Sequence, residues 1–206
     1  MTAPPGTGTY NTTLMALKVI IIDHNPDRTA VLRQAMLDLG HNVVAQLGAN
    51  EDILTSVHKN QPDVILIDMA LPDRDTLEAM RLISDEIPRP IVMFSEQSDS
   101  QTINEAIASG VSAYIVDGLD PRRLRPIMDV AIAQFKEHQA LKTELQTTRN
   151  QLAERKDIER AKGILMRAKN LDEPSAYTAL RKMAMDRNAR LIEIAKMVIS
   201  AEELLR

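Results

Sequence analysis

The chain has 206 residues, enough for one full domain and a smaller module, with 44% hydrophobic and 26% charged residues. It contains no cysteine, no tryptophan and only 2% aromatics, which excludes disulfides, thiolate zinc sites and a cysteine nucleophile and demands an aliphatic core. The net charge of −4 hides an asymmetry: residues 1–148 carry 12 Lys and Arg against 20 Asp and Glu, whereas residues 149–206 carry 13 against 9. An acidic front and a basic back predict two modules with different partners.

Residues 1–16 are rich in Pro, Gly and Thr and read as a disordered tail, without the basic and apolar regions of a signal peptide. No apolar run approaches the ~18–20 residues of a membrane span. Together with the absent cysteines this predicts a cytoplasmic protein with no membrane contact.

Residues 17–120 alternate short Val/Ile-rich runs (19–22, 43–46, 64–67, 91–94 and 113–116) with amphipathic stretches. The runs suit strands buried on both faces of a parallel sheet. The amphipathic stretches 27–39, 51–59, 75–87 and 99–109 are each followed by Gly or Pro (Gly40, Pro62, Pro88, Gly110). Five strands alternating with helices predict a flavodoxin-like, doubly wound α/β sheet.

Pro121 opens a long helix, at about residues 121–168, that Pro126 should bend near its start. Leu124, Ala131, His138, Leu145 and Leu152 share one heptad position, and Ile127, Gln134, Leu141, Thr148 and Arg155 another. Residues 121–150 therefore read either as an imperfect coiled-coil linker forming a homodimer seam or as a helix packed on its own domain. If continuous, the helix is on the order of 70 Å long at ~1.5 Å per residue. Two further helices, 175–187 and 191–205, complete a three-helix all-α unit over residues 151–206.

The chemistry of the first module lies at the carboxyl ends of its strands, where open α/β sheets bind ligands. Asp23, Asp68 and Ser95 end three of them. Two carboxylates there are candidate Mg²⁺ ligands. An Asp beside such an ion is a phosphoryl acceptor, and a Ser hydroxyl a donor to the phosphate oxygens. No nucleophile–base pair or cofactor motif supports an enzyme.

The stretch 62–75, PDVILIDMALPDRD, resembles the receiver domain of response regulators, as do IVMFSE and AYIV further on. The resemblance implies Asp68 as phosphoacceptor, with Ser95 and Tyr114 at the switch positions. Two residues depart from it. Asp23-His24 stands where receivers carry paired acids, and imidazole is a poor Mg²⁺ ligand. Asp117-Gly118 stands where they carry Lys-Pro, and a carboxylate there repels phosphate. The departures favour a receiver fold used as a protein-binding and dimerisation scaffold over a phosphorylated Asp68.

LAERKDIERAKGILM, residues 152–166, resembles the ANTAR domain, and with a receiver upstream the run Val116-Asp117-Gly118-Leu119 is similar to the nitrate-assimilation antiterminators of the AmiR/NasT family. The resemblance implies binding to stem-loops of a leader mRNA, acting on RNA polymerase only through that RNA. It also implies control by an inhibitory nitrate- or nitrite-binding sensor. A histidine kinase acting through Asp68 and a tail reading duplex DNA are the rival readings.

The candidate RNA contacts are Arg155, Lys156, Arg160, Lys162, Gly163 and Arg167 on the first helix, Arg181 and Lys182 on the second, and Arg190 at the turn. A solvated face laced with i,i+4 pairs accounts for the same charges. Gly163, which costs about 1 kcal/mol in a helix relative to Ala, is explained by close approach either of RNA or of a neighbouring helix.

Overall fold

The computed structural model describes residues 16–48, 51–116 and 120–204; all but the last residue of the expected tail, and Asp117, lie outside them. The chain divides into two compact units, residues 1–138 and 139–206.

In the first unit β1 (Lys18–Asp23), β2 (Asn42–Leu47), β3 (Val64–Asp68), β4 (Ile91–Ser95) and β5 (Ala113–Val116) form one sheet, order β2-β1-β3-β4-β5. All its pairings are parallel, as the double-sided apolar runs require. Alternate residues feed two cores. Ile20, Ile22, Ile65, Ile67 and Met93 face α2 (Ile53–Asn60), α3 (Arg74–Glu86) and α4 (Ser100–Ala108). Val19, Ile21, Leu66, Val92 and Phe94 face α1 (Pro26–Asp38) and the start of α5 (Leu124–Lys169). The β1–β2 register shifts between Val19 and Ile20, where the partner jumps from Val43 to Ala45.

Helix starts follow side-chain caps. Asn25, Asp52, Asp73 and Asp99 each accept a hydrogen bond from a backbone N–H of the first turn. At the other end of α4, Gly110 sits at φ +98°, and a Cβ there would lie 2.6 Å from that of Ser84, so only glycine fits.

The long helix divides its roles by half. Leu124, Ile127, Met128 and Ala131, at i, i+3, i+4 and i+7, pack into the sheet's second core. Leu141, Leu145 and Leu152 are more than half exposed. Pro126 lies in the first turn of α5, preceded by a 3₁₀ turn at Pro121–Arg123. There its missing N–H removes no interior bond, and the ring starts the helix rather than interrupting it.

The second unit packs the end of α5, α6 (Glu173–Asp186) and α7 (Leu191–Leu204) around Ala161, Leu165, Ala176, Leu180, Ile194, Ala195 and Ile199. Asp172 caps α6, with Pro174 in its first turn.

Candidate functional site

The β1–β3 register sets Asp23 opposite Asp68, and both are almost fully buried, at 4% and 3% exposure. Ser95 ends the adjacent strand β4 and is 1% exposed. Burial pushes the Asp68 carboxyl above the usual carboxylate range; Arg28 opposes the shift, and Asp23 and Glu96 add to it.

Arg28 was not expected in this pocket. It stands on the first turn of α1, which Asn25 caps through the backbone N–H groups of Asp27 and Arg28. Its guanidinium lies 3.6 Å from Asp23, 3.6 Å from Asp68 and 4.0 Å from Glu96. Asp23 Oδ1 accepts the Asn25 N–H at 2.8 Å, while Asp23 Oδ2 and Arg28 Nε have no hydrogen-bond partner among the described residues.

This arrangement does not fit a receiver's Mg²⁺. The ion wants near-octahedral oxygen ligands, yet the Arg28 guanidinium lies 3.6 Å from both candidate carboxylates. His24 does not complete the set either. It is exposed and lines a separate cleft with Glu51, Asp52, Asp73 and Asp75. Among the described residues no cluster of three or more His, Asp or Glu is placed to hold a metal.

The switch residues are engaged with backbone. Ser95 Oγ donates to the Ala70 carbonyl at 2.9 Å and accepts the Gln97 N–H at 3.2 Å. Tyr114 OH donates to the Gln97 carbonyl at 3.1 Å. The segment after β4 thus ties Ser95 to Tyr114 through one residue.

In the second unit the cations separate into two groups. Lys162, expected to face RNA, is 7% exposed, and its Nζ is held by Glu159 at 2.8 Å and Glu173 at 2.7 Å. Those two carboxylates raise its pKa. It ties α5 to the start of α6, and a phosphate would have to displace both partners. Arg160, Arg167 and Arg190 are exposed but paired, with Glu203 at 2.8 Å, Glu202 at 3.3 Å and Glu154 at 3.0 Å. The first two pairs join α5 to α7 and the third joins the turn before α7 to α5, so none is an i,i+4 pair along one face. Arg155, Lys156, Arg181 and Lys182 are exposed, and no carboxylate pairs with them among the described residues.

Gly163 is not forced by helix packing. A Cβ there would meet only the Arg167 side-chain end, at an ordinary 3.6 Å.

The response regulator receiver domain matches residues 19–129 and the ANTAR domain residues 146–199. The chain is a response regulator with an ANTAR domain.

This response regulator is 29% identical over 168 residues to the transcriptional regulatory protein PdtaR of Mycobacterium tuberculosis (strain ATCC 25618 / H37Rv), covering 82% of each chain. It is 38% identical over 90 residues to the nitrate regulatory protein of Klebsiella oxytoca, covering 44% of this chain and 23% of that one. The signal receiver domain of a modulated diguanylate cyclase from Desulfovibrio desulfuricans G20 superposes with TM-score 0.53 at 21% identity. That match spans 60% of this chain and 99% of that one, and it concerns the fold alone. Among the described residues no helix is long and apolar enough to cross a membrane.

Proposed function

We propose that this response regulator is an RNA-binding transcription antiterminator. Its second unit grips stem-loops of a leader mRNA and so prevents a competing terminator hairpin from forming. The observation that carries this reading is a set of exposed cations, Arg155, Lys156, Arg181 and Lys182, with which no carboxylate pairs among the described residues, on a domain of the ANTAR type. Such cations bind phosphates by releasing counterions, and the affinity falls steeply with salt.

The input is a protein partner rather than phosphorylation. Support comes from Arg28 against the two carboxylates and from His24 facing another cleft. The likeness to a nitrate regulatory protein favours a partner that senses nitrate or nitrite. The exposed Leu141, Leu145 and Leu152 favour a homodimer joined along α5.

A gel shift of the leader RNA of the gene's own transcript, with duplex DNA as competitor, tests the reading. RNA should hold against a mass excess of duplex. Duplex outcompeting RNA would make the tail a DNA reader. RNA binding that appears only with acetyl phosphate and vanishes in Asp68→Asn would restore the phosphorylation switch.

A further inference from the structure

An open groove of about 530 Å³ lies along α6 and the turn into α7. Tyr177 and Arg181 stand one helical turn apart on α6, and Met185 follows one turn later. Asn188, at φ +49°, lies in the turn after α6, and Arg190 beyond it also lines the groove.

Three observations make this groove unlike the rest of the unit's surface. The first is Tyr177 itself. The chain has only three Tyr and two Phe, and Tyr177 is the sole aromatic of residues 139–206. The unit's core closes with aliphatic side chains and does not take it in. It stands 44% exposed, and Met185 72% exposed. An aromatic in an aromatic-poor chain, spent outside the core, has no packing explanation.

The second is charge. The groove lining holds two guanidiniums and no carboxylate. Arg190 keeps 69% of its side chain exposed while paired with Glu154, and Arg181 is unpaired among the described residues. The third is size, within the ~300–1,000 Å³ that admits a small planar ligand.

An aromatic face that shares a groove with two guanidiniums matches an unpaired nucleobase and its neighbouring phosphates. Stacking serves the base, and the cations serve the backbone. A duplex offers no such free face, whereas the loop of a hairpin does. From this we infer that the Tyr177–Arg181–Arg190 groove is a seat for one unpaired loop base of the RNA. Tyr177 stacks on the base, and the two guanidiniums hold the adjacent phosphates. The inference rests on the RNA-binding reading above and narrows it from a charged surface to a base-recognising pocket.

The test uses the full chain and a hairpin enriched on it from a pool with a randomised loop. 2-Aminopurine replaces each loop position of that hairpin in turn. One position should be quenched on binding, and Tyr177→Ala should abolish that quench and weaken the hairpin roughly 5- to 150-fold. Tyr177→Phe should retain both. Removing the base at the quenched position should weaken the parent chain as much as Tyr177→Ala does, with no further loss when the two are combined.

Tyr177→Ala binding like the parent, or losing a fully paired control stem equally, would overturn the seat while leaving RNA binding intact. If Tyr177→Ala fails to fold, Tyr177→Phe and the abasic hairpin still decide the matter. A change of oligomer mass in Tyr177→Ala with hairpin affinity unchanged would assign the groove to a second copy and overturn the inference. Failure to enrich any hairpin would remove the RNA-binding reading itself, and the inference with it.

Discussion

Arg28 Nε stands 3.6 Å from Asp68 Oδ2, near enough for charge attraction and too far for a hydrogen bond. The same side chain reaches Asp23 and Glu96, so one guanidinium answers three carboxylates.

Removing it should expose a latent cation site. Arg28→Ala is expected to gain a Mg²⁺-dependent rise in thermal midpoint, because only ligand binding to the folded state stabilises it. The parent chain should show none at the same millimolar Mg²⁺. Equal shifts in both proteins would mean that the guanidinium does not compete with the ion.

Asp68 gives a pH signature. A carboxyl whose folded pKa is raised weighs against folding at neutral pH, and the penalty fades as pH falls through the folded value toward the unfolded one. Asp68→Asn should therefore melt higher than the parent at pH 7, with the gap closing in acid. The helix-capping Asp52, Asp73, Asp99 and Asp172 have lowered pKa values. Their contribution is present above the unfolded value and lost as pH falls, in both proteins alike. Only the difference between the two melting profiles bears on Asp68, and a pH-independent gap would refute the assignment.

Lys162 and Arg155 should respond to mutation in opposite ways. Lys162→Ala removes the tie between α5 and Glu173, and its melting temperature should drop while the folded protein's salt dependence of RNA binding is unchanged. Arg155→Ala should keep parent stability within about 0.5 kcal/mol and reduce the salt slope of RNA binding by about 1. Gly163→Ala should stabilise α5 by roughly 0.5–1 kcal/mol. A loss of RNA affinity in that variant would locate the RNA backbone at Gly163.

Leu145 lies between Leu141 and Leu152 on the exposed stretch of α5. Leu145→Lys should halve the particle mass measured by light scattering and leave helix content unchanged. A mass equal to the parent's would exclude this seam.

The sheet was legible because strands buried on both faces have little choice but Val and Ile, and every expected run became a strand. The starts of α1 to α4 differ from the expected ones by one or two residues: α2 begins at Ile53 and α3 at Arg74, each just after a capping Asp. Arg28 was invisible as a site residue. Its role exists only where the ends of β1, β3 and β4 converge. The burial of Lys162 was illegible for a related reason. A cation beside Arg160 and Arg167 reads as surface, and only the return of α6 brings Glu173 onto it. Tyr177 carries no signal in the sequence, because its exposure in one groove with Arg181 and Arg190 appears only after folding.

The strand order leaves β2 and β5 as the two outer strands of the sheet. An outer strand offers unpaired backbone groups that can recruit another chain's strand, the usual route to amyloid-like growth. Here β5 is only four residues long, and the β1–β2 ladder slips by one residue after Val19. Short or irregular outer strands make poor templates. The sheet is thus poorly suited to extending itself into a second molecule, and such misassembly should stay rare even at high cellular concentration.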